Sequence, residues 1–302
     1  MNIKLKQYNV VSPLADKDVQ SYLNGLPWLD RYLDVKKFVV IGNEKVKEKL
    51  KDNSDYDLIY VDENKLVSYE AVKNIIVQRS NNNDACIKRT GWYLQQFLKF
   101  SYSLICEDEY YLLWDSDTLP LHKHTMVDGE HLVFDMKTEH HEPYFQTFAR
   151  IFPHYTDRAK MSYISEHMLI KTKIMKELIH EISSCNIEGT KWYEKIINAV
   201  DIRDLPESGF ADYETYGLFC LNKYPNLYVQ RKWDSLRPAS SFFEFEKMRE
   251  CDFEWICKDY DAVSFEASRK VKLYMNIICR NNFIQNNFSC KKLLRLLRQF
   301  TI

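Results

Sequence analysis

The sequence predicts an α/β protein in which helices cover both faces of a mostly parallel sheet. Two observations indicate this fold class. Short apolar runs typical of buried strands alternate with longer segments of helical composition. One of these runs, YYLLW, ends directly in Asp115, Ser116 and Asp117. Polar residues at the end of a buried strand are typical of the carboxyl edge of an open sheet, where ligands bind.

The individual elements follow from local signals along the chain. Residues 8–12 are a predicted strand, and the acidic segment LADKD opens a predicted helix over residues 16–33, because carboxylates are favourable at a helix N-terminus. Residues 75–79 are predicted to be extended before the polar loop SNNND. The remaining predictions are strands at 38–42, 57–61, 110–114 and 131–136, helices at 91–100, 166–182 and 212–221, and a helical pattern from about residue 241.

Two domains follow from this pattern. Residues 1–240 are the predicted α/β domain, and residues 241–302 are a predicted helical C-terminal extension.

Composition narrows the class of protein. The chain has 302 residues, 45% hydrophobic and 28% charged, which is typical of a soluble globular protein. It contains neither an apolar run long enough to span a membrane nor the apolar core of a signal peptide, so we expect a cytoplasmic protein. Eight scattered cysteines indicate reduced thiols. The GxGxxG and GxxxxGK[ST] motifs are absent, which argues against classical dinucleotide and P-loop sites.

The C-terminal segment is basic, unlike the rest of the chain. Residues 267–302 contain eight Lys or Arg and no acidic residue, so the remaining residues carry a formal charge of about −9 within the total of −1. KKLLRLLRQF has the pattern of a basic amphipathic helix. Such a helix either packs on the body of the protein or attaches to an anionic membrane surface. Nucleic acid is not an expected partner, because the acidic body repels phosphates.

The acidic pair after YYLLW predicts a metal site. Alternate residues of an extended chain point the same way, so Asp115 and Asp117 together offer carboxylate oxygens to one hard divalent cation, Mn²⁺ or Mg²⁺. This arrangement suits the binding of a nucleotide diphosphate.

Four sequence blocks occur in the order GWYLQQFLK (91–99), DSD (115–117), YISEHMLIK (163–171) and ADYETYG (211–217). Together they resemble a family of bacterial GT-A-fold glycosyltransferases that build surface polysaccharides such as O-antigen, capsule or lipooligosaccharide. The resemblance covers roughly residues 5–235. It implies a cytoplasmic enzyme, peripheral at the inner face of the cell membrane, that moves a hexose from a UDP-sugar to a glycan or lipid-linked acceptor. A galactose-type sugar, pyranose or furanose, is favoured.

The resemblance also implies roles at the metal and at the acceptor. Asp117 is the firmer metal ligand, Asp115 contacts ribose or the metal, and His167 at a predicted helix start either completes the metal site or is structural. An inverting enzyme needs a base for the acceptor hydroxyl. Glu214 is favoured for this role and Asp212 is the alternative, both kept ionised by the N–H groups of a helix start.

Further residues are implied in donor binding. Ser12 lies in the expected wall of the uridine pocket. Gln95 and Lys99 lie four residues apart on one helical face. The resemblance implies that this helix flanks the nucleotide pocket, with Lys99 or Arg89 as a diphosphate contact. A basic, aromatic loop that closes over the diphosphate is predicted at Arg231, Lys232 and Trp233.

Two other classes of function compete with glycosyl transfer. A nucleotidyltransferase or a metal-dependent phosphohydrolase also uses paired aspartates at a strand end. A non-catalytic glycan-binding protein is suggested by the 6 Trp, 20 Tyr and 17 Phe.

Overall fold

The computed structural model describes residues 7–51, 56–159, 161–266, 271 and 273–299. Its strands are β1 Tyr8–Pro13, β2 Val35–Gly42, β3 Leu58–Asp62, β4 Tyr110–Trp114, β5 Thr118–Pro120, β6 Val127–Asp128, β7 His131–Met136, β8 His167–Lys171, β9 Tyr228–Lys232, β10 Ser235–Leu236 and β11 Ala262–Ser264. Its α-helices are α1 Val19–Tyr32, α2 Glu44–Leu50, α3 Tyr69–Arg79, α4 Asp84–Ile87, α5 Thr90–Ser101, α6 Glu142–Ile151, α7 Thr172–Ser184, α8 Trp192–Ala199, α9 Asp212–Lys223, α10 Glu250–Cys257, α11 Leu273–Cys279, α12 Asn282–Asn287 and α13 Cys290–Gln299.

The central sheet has five strands in the order β3-β2-β1-β4-β8. Four of them are parallel, and β8 is antiparallel to β4 at its edge. Helices flank this sheet, which confirms the predicted α/β class with a mostly parallel sheet. Among the described residues, no helix is long and apolar enough to cross a membrane.

The chain forms two compact units. The first takes the chain up to Val19, Val35–Asp115 and Met126–Lys232. The second takes Gln20–Asp34, Ser116–Thr125 and the chain from Trp233 onward. The predicted boundary between residues 240 and 241 stays a prediction, and the unit that holds the helical C-terminal segment also takes up two earlier segments of the chain.

Each unit has its own apolar core. In the first unit, the buried residues of β1, β2 and β4 pack with α5, α7 and α9. Every residue of β4 is buried, as expected for a strand covered on both faces. The second unit contains the sheet β10-β11-β5, and its core includes Trp255 of α10 and Leu119 of β5.

Two predicted elements are wrong, and the segment from residue 241 that was predicted to be helical also contains the strand β11. Residues 75–79 are helical, as the end of α3, because Val72 and Ile76 form a buried stripe four residues apart and Ser68 caps the helix by accepting a hydrogen bond from the Ala71 N–H. Residues 167–171 are strand β8 and not a helix, because all five pair with β4. Backbone pairing with a distant strand decides the structure of this segment, and the helix α7 begins only at Thr172.

Several element boundaries agree with those predicted from the sequence, but the acidic segment LADKD does not lie at the start of the first helix. The strands at 110–114 and 131–136 are observed at those residues, and α9 begins at Asp212 as predicted. The first helix begins at Val19, so the acids of LADKD precede it and none lies in its first turn.

The basic tail helix α13 packs on the apolar core of the second unit, to which it belongs, through part of its apolar surface. Cys290 and Leu294 are buried in that core, and Leu293 and Leu297 are partly buried against it. Leu296 is 53% exposed. Phe300 and the cations at 269, 270 and 272 lie outside the described residues.

Gly217 allows α9 to approach an aromatic ring closely. A Cβ at this position would lie 2.3 Å from Cγ of Tyr163. We predict that Gly217→Ala lowers the free energy of unfolding by about 1–3 kcal/mol through overpacking. Gly91→Ala on α5 is the matched control, because its Cβ would meet nothing within 4 Å. Its stability should be unchanged or raised by up to about 1 kcal/mol. Equal urea midpoints for the two variants would contradict this account of Gly217.

Candidate active site at the carboxyl edge of the central sheet

The candidate site lies where the strand order of the central sheet reverses. From β1 the chain adds β2 and β3 on one side, while β4 lies on the other side of β1. In open α/β sheets this switch point leaves a crevice beyond the carboxyl ends of the two adjacent strands. Ser12 near the end of β1 donates a hydrogen bond of 2.7 Å from Oγ to the carbonyl of Trp114, the last residue of β4. This bond ties the two strand ends together.

A buried lysine organises the site. Lys99 of α5 is only 4% exposed, and its Nζ lies 2.7 Å from Oδ1 of Asp115 and 3.0 Å from Oδ2 of Asp212. The same Nζ lies 4.1 Å from the ring centroid of Tyr213. Tyr213 donates its hydroxyl to Oδ1 of Asp115 at 2.9 Å. These four residues, here called the Lys99 cluster, join α5, the end of β4 and the start of α9.

The charges of the Lys99 cluster depend on one another. Burial alone would lower the pKa of Lys99, but Asp115 and Asp212 outweigh it and raise that pKa, so the ammonium is charged. Burial raises the pKa of Asp212, and Lys99 opposes that shift. Burial also holds the pKa of Tyr213 well above its usual range, so this residue acts as a hydroxyl donor. The cluster is therefore one lysine shared by two carboxylates.

Two neighbouring glutamines of α5 support the cluster in different ways. Gln95 donates from Nε2 to the carbonyl of Pro13 at 3.4 Å, at the end of β1. Gln96 accepts the backbone N–H of Asp212 at Oε1, at 3.1 Å, and thereby caps α9. Sequence reasoning selected Gln95 and missed Gln96, because the partner of Gln96 lies 116 residues away in the chain.

The chain does not continue as an extended strand through the acidic pair. The strand β4 ends at Trp114, and residues 116–117 form a turn. Asp115 and Asp117 are therefore not alternate residues of one extended strand. The reason for predicting that their side chains point the same way does not hold. Asp117 belongs to the second unit, where its Oδ1 accepts a hydrogen bond of 3.2 Å from the Thr118 hydroxyl and its carbonyl accepts one of 2.8 Å from the Phe265 N–H.

Asp115 keeps one carboxylate oxygen for a ligand. Its Oδ1 accepts both Lys99 Nζ and the Tyr213 hydroxyl, whereas Oδ2 has no hydrogen-bond partner within the described part of the chain. The side chain is 32% exposed. A carboxylate fixed through one oxygen and accessible at the other suits monodentate coordination of Mn²⁺ or Mg²⁺.

His167 is the first residue of β8, not a helix-start residue as predicted. Its ring stacks on Trp114 with centroids 4.7 Å apart. Nδ1 lies 2.8 Å from the Ser165 carbonyl, and Nε2 lies 2.9 Å from Oδ2 of Asp135. Two ligand atoms about 2.1 Å from one ion and at right angles to each other are also about 3 Å apart. The pair of Asp135 and His167 therefore has the spacing of either a shared proton or two ligands of one ion.

Asp135 is the residue of this pair that sequence reasoning missed. It is an acid inside an otherwise apolar strand, HLVFDM, and that is the signal that would have found it. Arg231 donates from Nε and Nη2 to its two oxygens at 2.7 and 2.8 Å. Arg231 and Lys232 lie in strand β9 beside β7, so the prediction of a loop at these two residues is wrong. Parallel pairing with β7 holds them in place.

The structure shows other partners for the remaining predicted donor contacts. Arg89 donates to the Ser208 hydroxyl at 2.9 Å and lies over the ring of Trp92. Within the described chain it makes no hydrogen bond or ion pair with the cluster. Trp233 belongs to the second unit, where it is buried beside the ring of His124.

Glu214 lies in the first turn of α9 and is 1% exposed. Its Oε2 accepts hydrogen bonds from the Ser162 hydroxyl at 2.6 Å and from the Tyr163 N–H at 3.3 Å. Its Oε1 has no hydrogen-bond partner among the described residues. Burial raises the pKa of Glu214 to about 7. The expectation that the helix start keeps Asp212 and Glu214 ionised is wrong in sign for both pKa values, because desolvation is the larger effect.

Comparison with known proteins assigns the chain to a family. It belongs to the Family of unknown function (DUF6492), whose sequence profile matches residues 29–238. No curated protein matches the sequence.

Solved structures that resemble the chain include three glycosyltransferases. Mouse xyloside xylosyltransferase 1, in its apo form, is 12% identical over 88% of this chain and 100% of its own, with a TM-score of 0.45. The galactosyltransferase LgtC, in complex with donor and acceptor sugar analogs, is 10% identical over 85% and 86%, with a TM-score of 0.44. The mannosyltransferase Ktr4p from S. cerevisiae is 9% identical over 75% and 68%, with a TM-score of 0.44. With TM-scores this low, these likenesses define neither the fold nor the activity.

We predict that Lys99→Met lowers the free energy of unfolding by about 3–5 kcal/mol, because it leaves the carboxylates of Asp115 and Asp212 close together without a counter-charge. Lys36→Met is the matched control, since Lys36 forms an ion pair of similar length, 2.6 Å, with Asp108 at the surface. It should change stability by less than about 1 kcal/mol.

Urea denaturation of the two variants measures this difference. Adding Asp212→Asn to Lys99→Met should recover part of the loss by removing one of the two uncompensated charges. If the Lys99 and Lys36 variants lose equally little stability, the cluster does not hold the site together.

Glu214 gives the folded state a pH-dependent stability. Its pKa in the folded protein, about 7, is above the ordinary 4.5, so the fold favours the protonated carboxyl. That contribution is complete below about pH 4.5 and is lost as the pH rises through about 7. We predict that Glu214→Gln, which cannot ionise, gains stability over the unmodified protein between about pH 5 and about pH 8, by up to roughly 3 kcal/mol.

Melting curves across that pH range test the prediction. Glu188→Gln, which changes an exposed glutamate, should give a constant difference from the unmodified protein. A constant difference for Glu214→Gln as well would show that this carboxyl titrates alike in the folded and unfolded states.

Proposed function

We propose that the chain is a metal-dependent GT-A-type glycosyltransferase. The observation that carries the proposal is the Lys99 cluster, because it brings together residues from three separate sequence blocks. GWYLQQFLK supplies Lys99, DSD supplies Asp115, and ADYETYG supplies Asp212 and Tyr213. These blocks meet at the switch point of a mostly parallel sheet, which is the ligand-binding edge of such folds.

The proposed reaction transfers a hexose from a UDP-sugar to a glycan or lipid-linked acceptor. A galactose-type sugar is favoured, and the setting is bacterial surface polysaccharide synthesis in the cytoplasm. The four ordered sequence blocks and their resemblance to transferases of that kind support this finer assignment. Ser12 and Gln95, which join the ends of β1 and β4 to α5, are the proposed wall of the nucleotide pocket.

A divalent metal ion fits Asp115, the first of the two proposed ligands. Asp115 has one fixed and one accessible carboxylate oxygen, and Asp117 is the second proposed ligand. When bound, the ion supplies positive charge to the diphosphate as it leaves the sugar. Lys99 and Tyr213 fix the orientation of Asp115, so the carboxylate is positioned before any ligand arrives.

The proposed base must lie within reach of the acceptor hydroxyl whose proton it takes. Glu214 has a pKa suited to proton transfer near neutral pH, about 7. Its carboxylate is buried under Ser162 and Tyr163, and Asp212 is the counter-ion of Lys99. We therefore propose Asp212 as a positioning residue. An inverting reaction with Glu214 as the base requires movement of the segment at Ser162 to expose this carboxylate.

Nucleotide-sugar binding in the presence of Mn²⁺ tests the proposed function. We predict that one of the UDP, GDP, CMP or dTDP sugars, most readily a UDP-hexose, raises the melting temperature only with Mn²⁺ present, since a ligand that binds only the folded state stabilises it by about 2.7 kcal/mol at a hundred times its Kd. Asp115→Asn and Asp117→Asn should each abolish the metal-dependent part. Asp57→Asn, at a carboxylate that is 73% exposed, should leave it unchanged.

The other outcomes distinguish the competing functions. Stabilisation by sugars without a nucleotide and without metal would indicate a glycan-binding protein. Metal-dependent hydrolysis of the diphosphate, which releases a nucleoside monophosphate and a sugar 1-phosphate, would indicate a phosphohydrolase. No response to any sugar nucleotide would reject the proposal.

A further inference from the structure

Helices α11 to α13 of the second unit expose an unusual number of large apolar side chains. Among the described residues, nine large hydrophobic side chains are exposed, and five of them lie between residues 274 and 296. Single exposed apolar residues are normal on a protein surface, but their concentration in one short segment is typical of an interaction surface. They are Tyr274 at 47%, Ile277 at 64%, Phe283 at 70%, Phe288 at 50% and Leu296 at 53% exposure.

These side chains face solvent because the opposite faces of the same helices are docked. On α11, Met275 and Cys279 lie four residues apart in the buried core of the second unit. On α13, Cys290 and Leu294 do the same. The segment between them is anchored as well, since Trp255 donates from Nε1 to the Phe288 carbonyl at 2.8 Å. The exposed apolar residues are therefore a feature of a packed structure.

Uncompensated positive charge accompanies the apolar side chains. Lys292 and Arg295 are exposed on α13, and neither forms an ion pair within the described part of the chain. Lys291 is paired with Asp234 at 3.3 Å, and Arg280 lies 3.4 Å from the buried Asp252. No acidic residue occurs anywhere in 267–302, so the segment has no negative charge of its own.

We propose that the exposed side chains between residues 274 and 296, here called the C-terminal surface, dock onto an anionic lipid bilayer. Exposed phenylalanine and aliphatic side chains enter the interface between headgroups and acyl chains, and lysine and arginine contact the lipid phosphates. The proposal goes beyond glycosyl transfer, and vesicle binding does not depend on a donor sugar. The apolar contacts come from α11, α12, Phe288 and Leu296, whereas the tail leucine at 294 is buried and is not available.

A bilayer matches this surface better than a nucleic acid does. Aliphatic side chains such as Ile277 and Leu296 have no π-face for stacking on bases, but they partition readily into acyl chains. The rest of the chain carries about −9 in formal charge, which repels a long polyanion.

Flotation of the full-length protein with vesicles tests the proposal. At low salt the protein should float with phosphatidylcholine vesicles that contain about 30% phosphatidylglycerol and not with phosphatidylcholine alone. Binding should fall as the screening length shortens to about 8 Å near physiological ionic strength. Phe283→Ser/Phe288→Ser and Lys292→Gln/Arg295→Gln should each weaken binding about tenfold or more, since both the apolar area and the charges contribute.

The matched control removes two apolar side chains of equal exposure elsewhere. Leu104→Ser/Ile105→Ser changes residues that are 52% and 51% exposed in the first unit, and it should leave vesicle binding unchanged. Melting curves establish that every variant is folded. If a variant of the C-terminal surface fails to fold, single substitutions at Phe283 and Lys292 replace the double ones.

Three results would overturn the proposal. The first is a protein that stays unbound to anionic vesicles at low salt. The second is a loss of binding in the Leu104 and Ile105 control equal to that in the variants of the C-terminal surface. The third is a different partner at the C-terminal surface in a protein that does not bind vesicles. A second copy of the chain would be shown by dimerisation in sedimentation velocity that Phe283→Ser/Phe288→Ser abolishes. A nucleic acid would be shown by binding of a labelled oligonucleotide that Lys292→Gln/Arg295→Gln abolishes.

Discussion

The site depends on one buried ammonium group. Lys99 lies between the carboxylates of Asp115 and Asp212, and these three residues come from three elements that are distant in the chain. An unpaired buried charge is strongly destabilising, so α5, the end of β4 and the start of α9 can occupy these positions only together. The ion pairs thus fix the geometry of the sheet edge as well as its charge. Gln96 strengthens the same junction by capping α9 through the Asp212 N–H.

This junction also explains what Asp115 can do. A carboxylate on a free loop samples many orientations, and a ligand must restrict them at an entropic cost. Here Lys99 and Tyr213 both hold Oδ1, so the orientation is fixed in advance while Oδ2 stays without a protein hydrogen bond among the described residues. The neighbouring lysine lowers the local negative charge as well. For the proposed nucleotide-sugar donor, this is a site where one acid is oriented and a second, Asp212, is already neutralised by its partner.

Local sequence patterns predicted those strands and helices whose structure depends on the residues of the segment itself. The run YYLLW is apolar enough to be buried on both faces, and it forms β4 at the predicted residues. The segment HMLIK is equally apolar, but pairing with β4 makes it a strand where a helix was predicted. The position of Asp115 at a strand end and the resemblance of the blocks that contain Lys99 and Asp212 also indicated these three residues as functional candidates. Their contacts were not predictable, because they depend on which distant elements the fold brings together, and for the same reason the pairing of Asp135 with Arg231 was missed.

The first turn of α9 shows why position in a helix does not determine ionisation. A helix N-terminus favours a carboxylate by about 0.3–1 kcal/mol, whereas removing one from water is opposed by several kcal/mol. Burial is therefore the larger effect on the pKa of both acids in this turn. The hydrogen-bond and ion-pair partners of the two acids then distinguish them. Asp212 faces a charged lysine that opposes the upward shift of its pKa. Among the described residues Glu214 has only a hydroxyl and a backbone N–H as donors, and its pKa reaches about 7. Two carboxylates two residues apart thus have different chemistry, and the nature of each donor decides which one can exchange a proton near neutral pH.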